Sequence, residues 1–510
     1  MATQSFPLAV KLKEFTKCYH GLGSEFLPRD ALQNLVNEEN VRSMLGIQDG
    51  TWSRACQTQN HLTELSLVRL ITEEARAIFA ILVILKQSVL TENLLIEEGL
   101  RDEHLPLSID HEYSYCTSYD GQRKIPFVNC PQEDLVEFVN HKQWFFLAPV
   151  LKANGETIKL HEKCPLPFID DNDEDPSRGG GGLVYRARVH PAHQEGFEVE
   201  TTELRVAVKE FHRKELFQQE NKILQQIKDL RHAHVIRHLM SIESGERKAY
   251  SIFPWTDGGT LQDFWRTPMK ELTQEHVLWA LQQMHGLVSA LQALHAVFKC
   301  RHGDLKPQNI LCFGKDDKIT FKIADFGISK IHDMPTMYRK VATTNLAFTA
   351  SYQGPEIEFE RAAPNDQQPR SRKYDIWSLG CVFLEFSVWL LHGPEAMAEF
   401  DIARETSGSS LYEVTDREQK QARVHHLANG TVDALLNDPR CTGRTGLAEL
   451  LNIIADRMLK TDVSERASAD EIVNAISDMI NRYQRGVLSL FNPHPASDIP
   501  QLPFDRTRRN

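Results

Sequence analysis

At Asp257 the apolar pattern of this 510-residue chain changes period. Upstream lie three short runs rich in β-branched and aromatic residues, Leu183 to His190, Leu204 to Phe211 and Ala249 to Pro254. A helix-spaced stretch, Lys214 to Leu230, separates the last two. Downstream the apolar residues recur at helical spacing over long segments, among them Glu275 to Ala296, Tyr374 to Leu391 and Ala469 to Tyr483. Strand side chains repeat every second residue and helix side chains about every 3.6 residues, so the two patterns cannot share one face. A chain of this length also exceeds a single ordinary core. The spacing therefore predicts an α+β chain, with a small strand-rich lobe followed by a larger helical one.

What precedes the strands has a different character. Leu62, Leu65, Val68 and Ile71 recur at helical spacing, interrupted by Glu73, Glu74 and Arg76, so residues 1–155 read as a mainly helical region. Its longest apolar run, Ala77 to Leu85, is nine residues and reads as a buried helix, because a membrane-spanning helix needs roughly 20. The aromatic cluster Trp144, Phe145 and Phe146 reads as core. The acidic run Asp170 to Asp175 before Pro176 reads as a solvated turn. Residues 486–510 end in prolines and RTRRN and read as a disordered tail, which leaves 156–485 as the second domain.

Charge and cysteine usage narrow the function classes. A formal net charge of −12 gives no basic excess for a nucleic-acid partner. Nine cysteines without a C-x-x-C pair suggest neither a disulfide framework nor a zinc site. The expectation is an intracellular protein, cytoplasmic or nuclear, without a membrane partner.

The residues that carry chemistry fall in a fixed order. Phosphoryl transfer from ATP needs phosphates held still, charge neutralised by Mg²⁺, and a base to orient the attacking hydroxyl. Gly179, Gly180, Gly181 and Gly182 form a side-chain-free turn that would let backbone N–H groups approach phosphate oxygens. Lys209 ends the apolar run Val206-Ala207-Val208 and suits contact with the α- and β-phosphates; Glu220, on the next helical stretch, would pair with it. In the run His302-Gly303-Asp304-Leu305-Lys306-Pro307-Gln308-Asn309, Asp304 would act as base, Lys306 would balance charge on the transferring group, and Asn309 would bind Mg²⁺. Asp325 of Asp325-Phe326-Gly327 supplies the second metal ligand.

On these residues the chain from about Asp170 to Tyr483 resembles the eukaryotic protein kinase catalytic domain. The resemblance extends to Gly354-Pro355-Glu356 and to Tyr374-Asp375-Ile376-Trp377-Ser378-Leu379-Gly380. It implies the bilobal kinase fold, ATP and Mg²⁺ as cofactors, and a protein substrate, with the preceding helical region open to a further partner. It also implies that Asp375 holds the catalytic-loop backbone and that Arg466 pairs with Glu356. Gly179, Gly180, Gly182, Val184, Ala207, Pro254 and Thr256 fall where the family holds its nucleotide, with Phe253 in the gatekeeper position. Lys306, together with Thr349, resembles the serine/threonine subgroup. The hinge wording and the long preceding helical region also resemble fungal kinase-domain proteins with a His-Gly-Asp loop.

Two departures stand out. Ser177 takes the place of the first loop glycine, and Gly303 replaces the arginine that in the family precedes the base and reads a phosphate on the activation segment. The second departure implies activity without phosphorylation of Thr336, Tyr338, Thr343 or Thr344. Two alternatives stay open at this point: a pseudokinase scaffold, and a small-molecule kinase, whose catalytic loop also carries His-Gly-Asp.

Overall fold

The protein is described by a computed structural model. It covers residues 6–14, 25–46, 64–113, 115–169, 177–179, 182–197, 204–268, 271–314, 318–327, 330–331, 351–362, 371–408, 410–493 and 502–504. The acidic run 170–175, Gly180 and Gly181, and the threonines and tyrosine from Thr336 to Thr349 lie outside the described residues.

The chain forms two compact units: residues 1–177, 183–210 and 239–253 make the first, and 178–182, 211–238 and 254–510 the second. The first unit therefore contains both the N-terminal helical region and the strands that follow it. Its helical part is organised around α1 (Arg76–Ile84), whose residues from Ala77 to Val83 are all buried. A helix that is apolar on every side must be enclosed, and Leu67, Val68, Ile71, Leu94, Leu95, Phe138 and Val139 enclose it. Ala75, the residue before α1, cannot cap the exposed amides of its first turn, and Asp102 does so instead, accepting the Ala77 and Ile78 N–H groups at 3.0 Å each. Burial pushes the Asp102 carboxyl up to about 6 against the pull of these amides.

Seven strands form one sheet, most of whose residues belong to the first unit: β1 (Thr157–Leu160), β2 (Phe168–Ile169), β3 (Ser177–Gly179), β4 (Gly182–Val189), β5 (Leu204–Phe211), β6 (Met240–Ser244) and β7 (Lys248–Pro254). Their spatial order is β1-β6-β7-β5-β4-β2, with β3 pairing onto β4. β6 and β7 form an antiparallel hairpin with Met240 opposite Ile252, and β1 runs parallel to β6 with Thr157 opposite Ser241. Val189, Val206, Val208, Ile242 and Ile252 supply one buried face. Ala207 stands between two of these valines and is half-buried, as the period of two requires.

The second unit is mainly helical, with α2 (Lys214–Ile227), α3 (Gln274–Ala296), α4 (Lys373–Thr406) and α5 (Ala469–Gln484) as its principal elements. All residues of α4 from Tyr374 to Leu391 are buried. By length and composition α4 could cross a membrane, but 89% of its most apolar stretch is buried inside the protein, as in a central core helix. The sequence pattern places its end at Leu391, and Gly393 there has φ 82 outside the helical range, followed by Pro394. Proline lacks the N–H a helix interior needs. Yet a further helical segment continues to Thr406, which the apolar pattern does not show.

Two expectations need correction. The segment from 486 is not uniformly a disordered tail: Leu490 and Phe491 are buried, Gly446 and Leu447 donate backbone hydrogen bonds to Ser489 and Leu490, and Phe504 packs edge-on against Phe400 at 5.3 Å. Proline and charge counts hid these spaced apolar anchors. Trp144, Phe145 and Phe146 are only half-buried, on a short 3-10 helix; Trp144 stacks on His161 at 4.5 Å, and Phe146 packs against the helical core.

Candidate active site

A short hairpin fixes the positions of two of the expected metal ligands. Strands Ile310–Phe313 and Thr320–Ile323 pair antiparallel, with Ile310 opposite Ile323. Asn309 precedes the first strand and Ala324-Asp325 follows the second, so the open end of the hairpin brings them side by side. The Ala324 N–H donates to the Asn309 carbonyl at 2.9 Å. The hairpin is itself anchored: Ile323 donates to the His234 carbonyl and accepts from the Ile236 N–H, both at 2.9 Å.

Asp304 is buried at 8% exposure and is surrounded by the other residues of its motif. The Lys306 ammonium lies 2.9 Å from its Oδ2, and the Asn309 amide donates to the same oxygen at 3.0 Å and to the Asp304 carbonyl at 2.8 Å. Burial pushes the Asp304 carboxyl above its ordinary value and Asp325 adds to the rise, while Lys306 and His302 oppose it. Asp325 is half-buried and has φ 61, a left-handed conformation that costs a non-glycine residue energy and tends to mark functional sites. Its Oδ1 accepts the Gly327 N–H at 3.2 Å.

The His302-Gly303-Asp304 loop is held by Asp375, which is fully buried. Its Oδ2 accepts the His302 N–H at 2.9 Å and its Oδ1 the Gly303 N–H at 2.8 Å; His295 Nε2 lies 2.8 Å from Oδ2. Burial, the largest influence on this carboxyl, acts upward, but His295, His302 and Arg301 outweigh it and hold the group below its ordinary value. Gly303 has φ 82, a region that glycine enters without steric cost and other residues do not. The His302 ring faces the Ala324 carbonyl at 3.0 Å and packs edge-on against Phe326 at 5.1 Å, which ties the base loop to the Asp-Phe-Gly segment.

Glu356 and Arg466 meet as the sequence reading implied, in a two-pronged pair at 2.8 and 3.1 Å with Arg466 fully buried. Thr256, expected at the nucleotide, directs its hydroxyl to the Cys312 carbonyl and accepts the Gly258 N–H, so it stiffens the segment after β7. Pro254 closes β7 and is half-buried, as is Val184 on β4. Lys209 lies on β5 in the first unit and Glu220 on α2 in the second; both are buried. Gly179 ends β3 and Gly182 begins β4.

Sequence reasoning missed a buried network beneath the Gly354-Pro355-Glu356 segment. The Tyr352 hydroxyl donates to both oxygens of Glu385, at 3.1 and 3.0 Å, and Arg404 bonds Glu385 and Tyr352 together. Arg404 sits beyond the Gly393 kink, so no spacing rule links it to Glu385. Glu413, His425 and His426 also bring three potential ligand atoms within 4.8 Å. Their bonding is structural: Nδ1 of His425 accepts the Leu427 N–H at the start of a helix, and Arg423 takes Oε2 of Glu413.

Residues 178–476, more than half of the chain, match the protein kinase domain model. The chain belongs to the protein kinase domain family. Among relatives of this kinase-domain chain is the probable LRR receptor-like serine/threonine-protein kinase RPK1 of Arabidopsis thaliana, 31% identical over 265 residues, covering 49% of this chain and 44% of the relative. Serine/threonine-protein kinase chk-2 of Caenorhabditis elegans is 39% identical over 104 residues, 20% of this chain and 19% of the relative. Mitogen-activated protein kinase 14 of Oryza sativa subsp. japonica is 28% identical over 246 residues, 47% of this chain and 41% of the relative. The chain spans less than half the length of each of these relatives.

Proposed function

We propose that this kinase-domain protein transfers the γ-phosphoryl group of ATP to serine or threonine hydroxyls of a protein substrate. The observation that carries the reading is the cluster of Asp304, Lys306 and Asn309 within hydrogen-bonding distance of one another, with Asp325 beside Asn309 across the hairpin. Asp304 would accept the hydroxyl proton, and its upward-shifted carboxyl matches that task better than an ordinary surface aspartate. Lys306 would share the charge that develops on the transferring group. The names of the relatives agree with the serine/threonine class, as does Lys306 itself.

The donor set also fits a magnesium ion. Asn309 uses its amide N–H groups on Asp304, which leaves its side-chain oxygen for a cation, and Asp325 contributes a carboxylate. Oxygen donors of this kind suit a hard divalent metal. When bound with ATP, Mg²⁺ neutralises phosphate charge.

Radiolabelled ATP with a generic basic protein substrate tests the proposal. Label should reach protein in the parent chain and fall at least about 100-fold in Asp304→Asn and Lys209→Met. Equal labelling by either variant would refute the assignment. Absence of labelling in the parent chain would instead favour a scaffold.

Gly303 extends the proposal to regulation. With no arginine beside the base, activity should not depend on a phosphate in the activation segment. Phosphatase treatment should leave turnover unchanged, and loss of activity on treatment would overturn the idea.

A further inference from the structure

The connection between β4 and β5 leaves the sheet at His190 and passes through the short turn Pro191–His193 and the strand Gln194–Glu195. Residues of the N-terminal region hold it at three points. Leu151–Lys152 runs parallel to Gln194–Glu195, and the Ala153 N–H donates to the Glu195 carbonyl at 3.1 Å. Phe26, fully buried, meets the rings of His190 and His193 edge-on at 6.1 and 5.4 Å. The third point is His193 itself, at 3% exposure.

Both ring nitrogens of His193 bond to backbone. Nε2 accepts the Arg29 N–H at 3.0 Å, and Nδ1 lies 3.1 Å from the Pro149 carbonyl. An amide N–H can only donate and a carbonyl can only accept, so the ring is neutral with its proton on Nδ1. The Arg29 amide opens the helix Arg29–Leu35, and Pro28 before it provides no side-chain cap. His193 therefore supplies the acceptor that this helix end lacks, from more than 160 residues away. Protonation of Nε2 would place two donors face to face.

We infer that His193 is a positioning residue for nucleotide binding, which fastens the N-terminal helical region to the β4–β5 connection and releases it when the ring is protonated. The inference rests on the kinase reading, because β4 and β5 carry Val184, Ala207 and Lys209. The two strands are neighbours in the sheet, so the connection at their shared end sets how one lies against the other. Burial, His190 and Arg29 disfavour the charged ring, Asp30 and the Pro149 carbonyl favour it, and the balance holds His193 below the ordinary histidine value.

Three full-length proteins separate the possibilities: the parent chain, His193→Phe, which keeps the ring against Phe26 without the acceptor, and His193→Gln. The glutamine amide accepts and donates like the neutral imidazole and does not titrate. Binding of a fluorescent ATP analogue, KM for ATP and kcat are measured between pH 7.5 and 5.0, because the ring titrates below its ordinary value of 6.5. His193→Phe, which loses both ring bonds to backbone, should weaken nucleotide binding about fivefold to tenfold at pH 7.5 with kcat within about twofold, and the difference from the parent should shrink as pH falls. The ratio of parent to His193→Gln affinity should stay near one at pH 7.5 and fall toward pH 5.0. A flat ratio overturns the pH release. Unchanged nucleotide affinity in His193→Phe overturns the positioning role. Amide exchange at Arg29 and at 190–195, followed in the same proteins, judges the fastening without any catalysis. It should quicken in His193→Phe, and equal exchange rates would refute it. If the parent chain binds no nucleotide, the kinase reading fails and the positioning role with it, while exchange still decides the fastening.

Discussion

Replacing Asp375 by asparagine should loosen the catalytic loop without changing the volume beneath it. The carboxylate divides its work: Oδ1 serves the Gly303 N–H at 2.8 Å, while Oδ2 serves the His302 N–H at 2.9 Å and His295 at 2.8 Å. Asparagine has one acceptor oxygen, so its amino group must face a donor on one side. Giving up the Gly303 bond costs about 1.5–3 kcal/mol, as expected for a bond to a charged group. The two bonds that remain lose charge assistance, roughly half their strength, adding about 1 kcal/mol. Together these come to about 2.5–4 kcal/mol of stability. Gly303 would also lose the anchor for its left-handed backbone, next to the base. Displacing a catalytic group by about 1 Å costs on the order of 100-fold in rate, so kcat should fall by about that factor while KM for ATP stays within about threefold. Urea unfolding and steady-state phosphotransfer measure both. A stability loss below about 1 kcal/mol together with kcat within threefold of the parent would refute the account.

Arg404→Met should destabilise the protein by about 3–5 kcal/mol, because it leaves the buried Glu385 carboxyl without its cation and burial already raises that carboxyl to about 7; adding Glu385→Leu should recover a substantial part in thermal melts, and no recovery would contradict the pairing. Ile81→Ala, in the helix enclosed on all sides, should cost about 2–5 kcal/mol in urea unfolding. Burial holds His193, His232, His234 and His285 below the ordinary value of 6.5. Each binds fewer protons folded than unfolded, so its contribution is complete above about pH 6.5 and is lost as pH falls through the lower folded value. Asp102, raised to about 6, works the other way and loses its contribution as pH rises through that value. Melting temperature should therefore fall between pH 7 and 5, and Asp102→Asn should make the fall steeper; a flat profile would show that the histidines are not held neutral.

The parts of this molecule legible in sequence are those with a short-range signature. Strands β4, β5 and β7 and helices α2, α3 and α5 appear within a few residues of their expected ends, because alternation and helical spacing are local. Asp304, Lys306 and Asn309 lie within six residues of one another, so their clustering needs no tertiary knowledge. What escaped the sequence depends on distant chain: β1 pairing with β6, His295 under Asp375, and Arg404 reaching Glu385. Gly303 shows the intermediate case. Its presence reads as a lost arginine, whereas φ 82 shows a backbone that any other residue would strain to follow.

The hairpin between Ile310 and Ile323 has one further consequence. Its paired end carries Asn309 and Asp325, and its turn lies at the opposite end, beyond Phe313 and Thr320. Residues added to or removed from that turn change nothing in the register of Ile310 against Ile323. The spacing of Asn309 and Asp325, the proposed cation ligands, is thereby insulated from the number of residues in the loop between them.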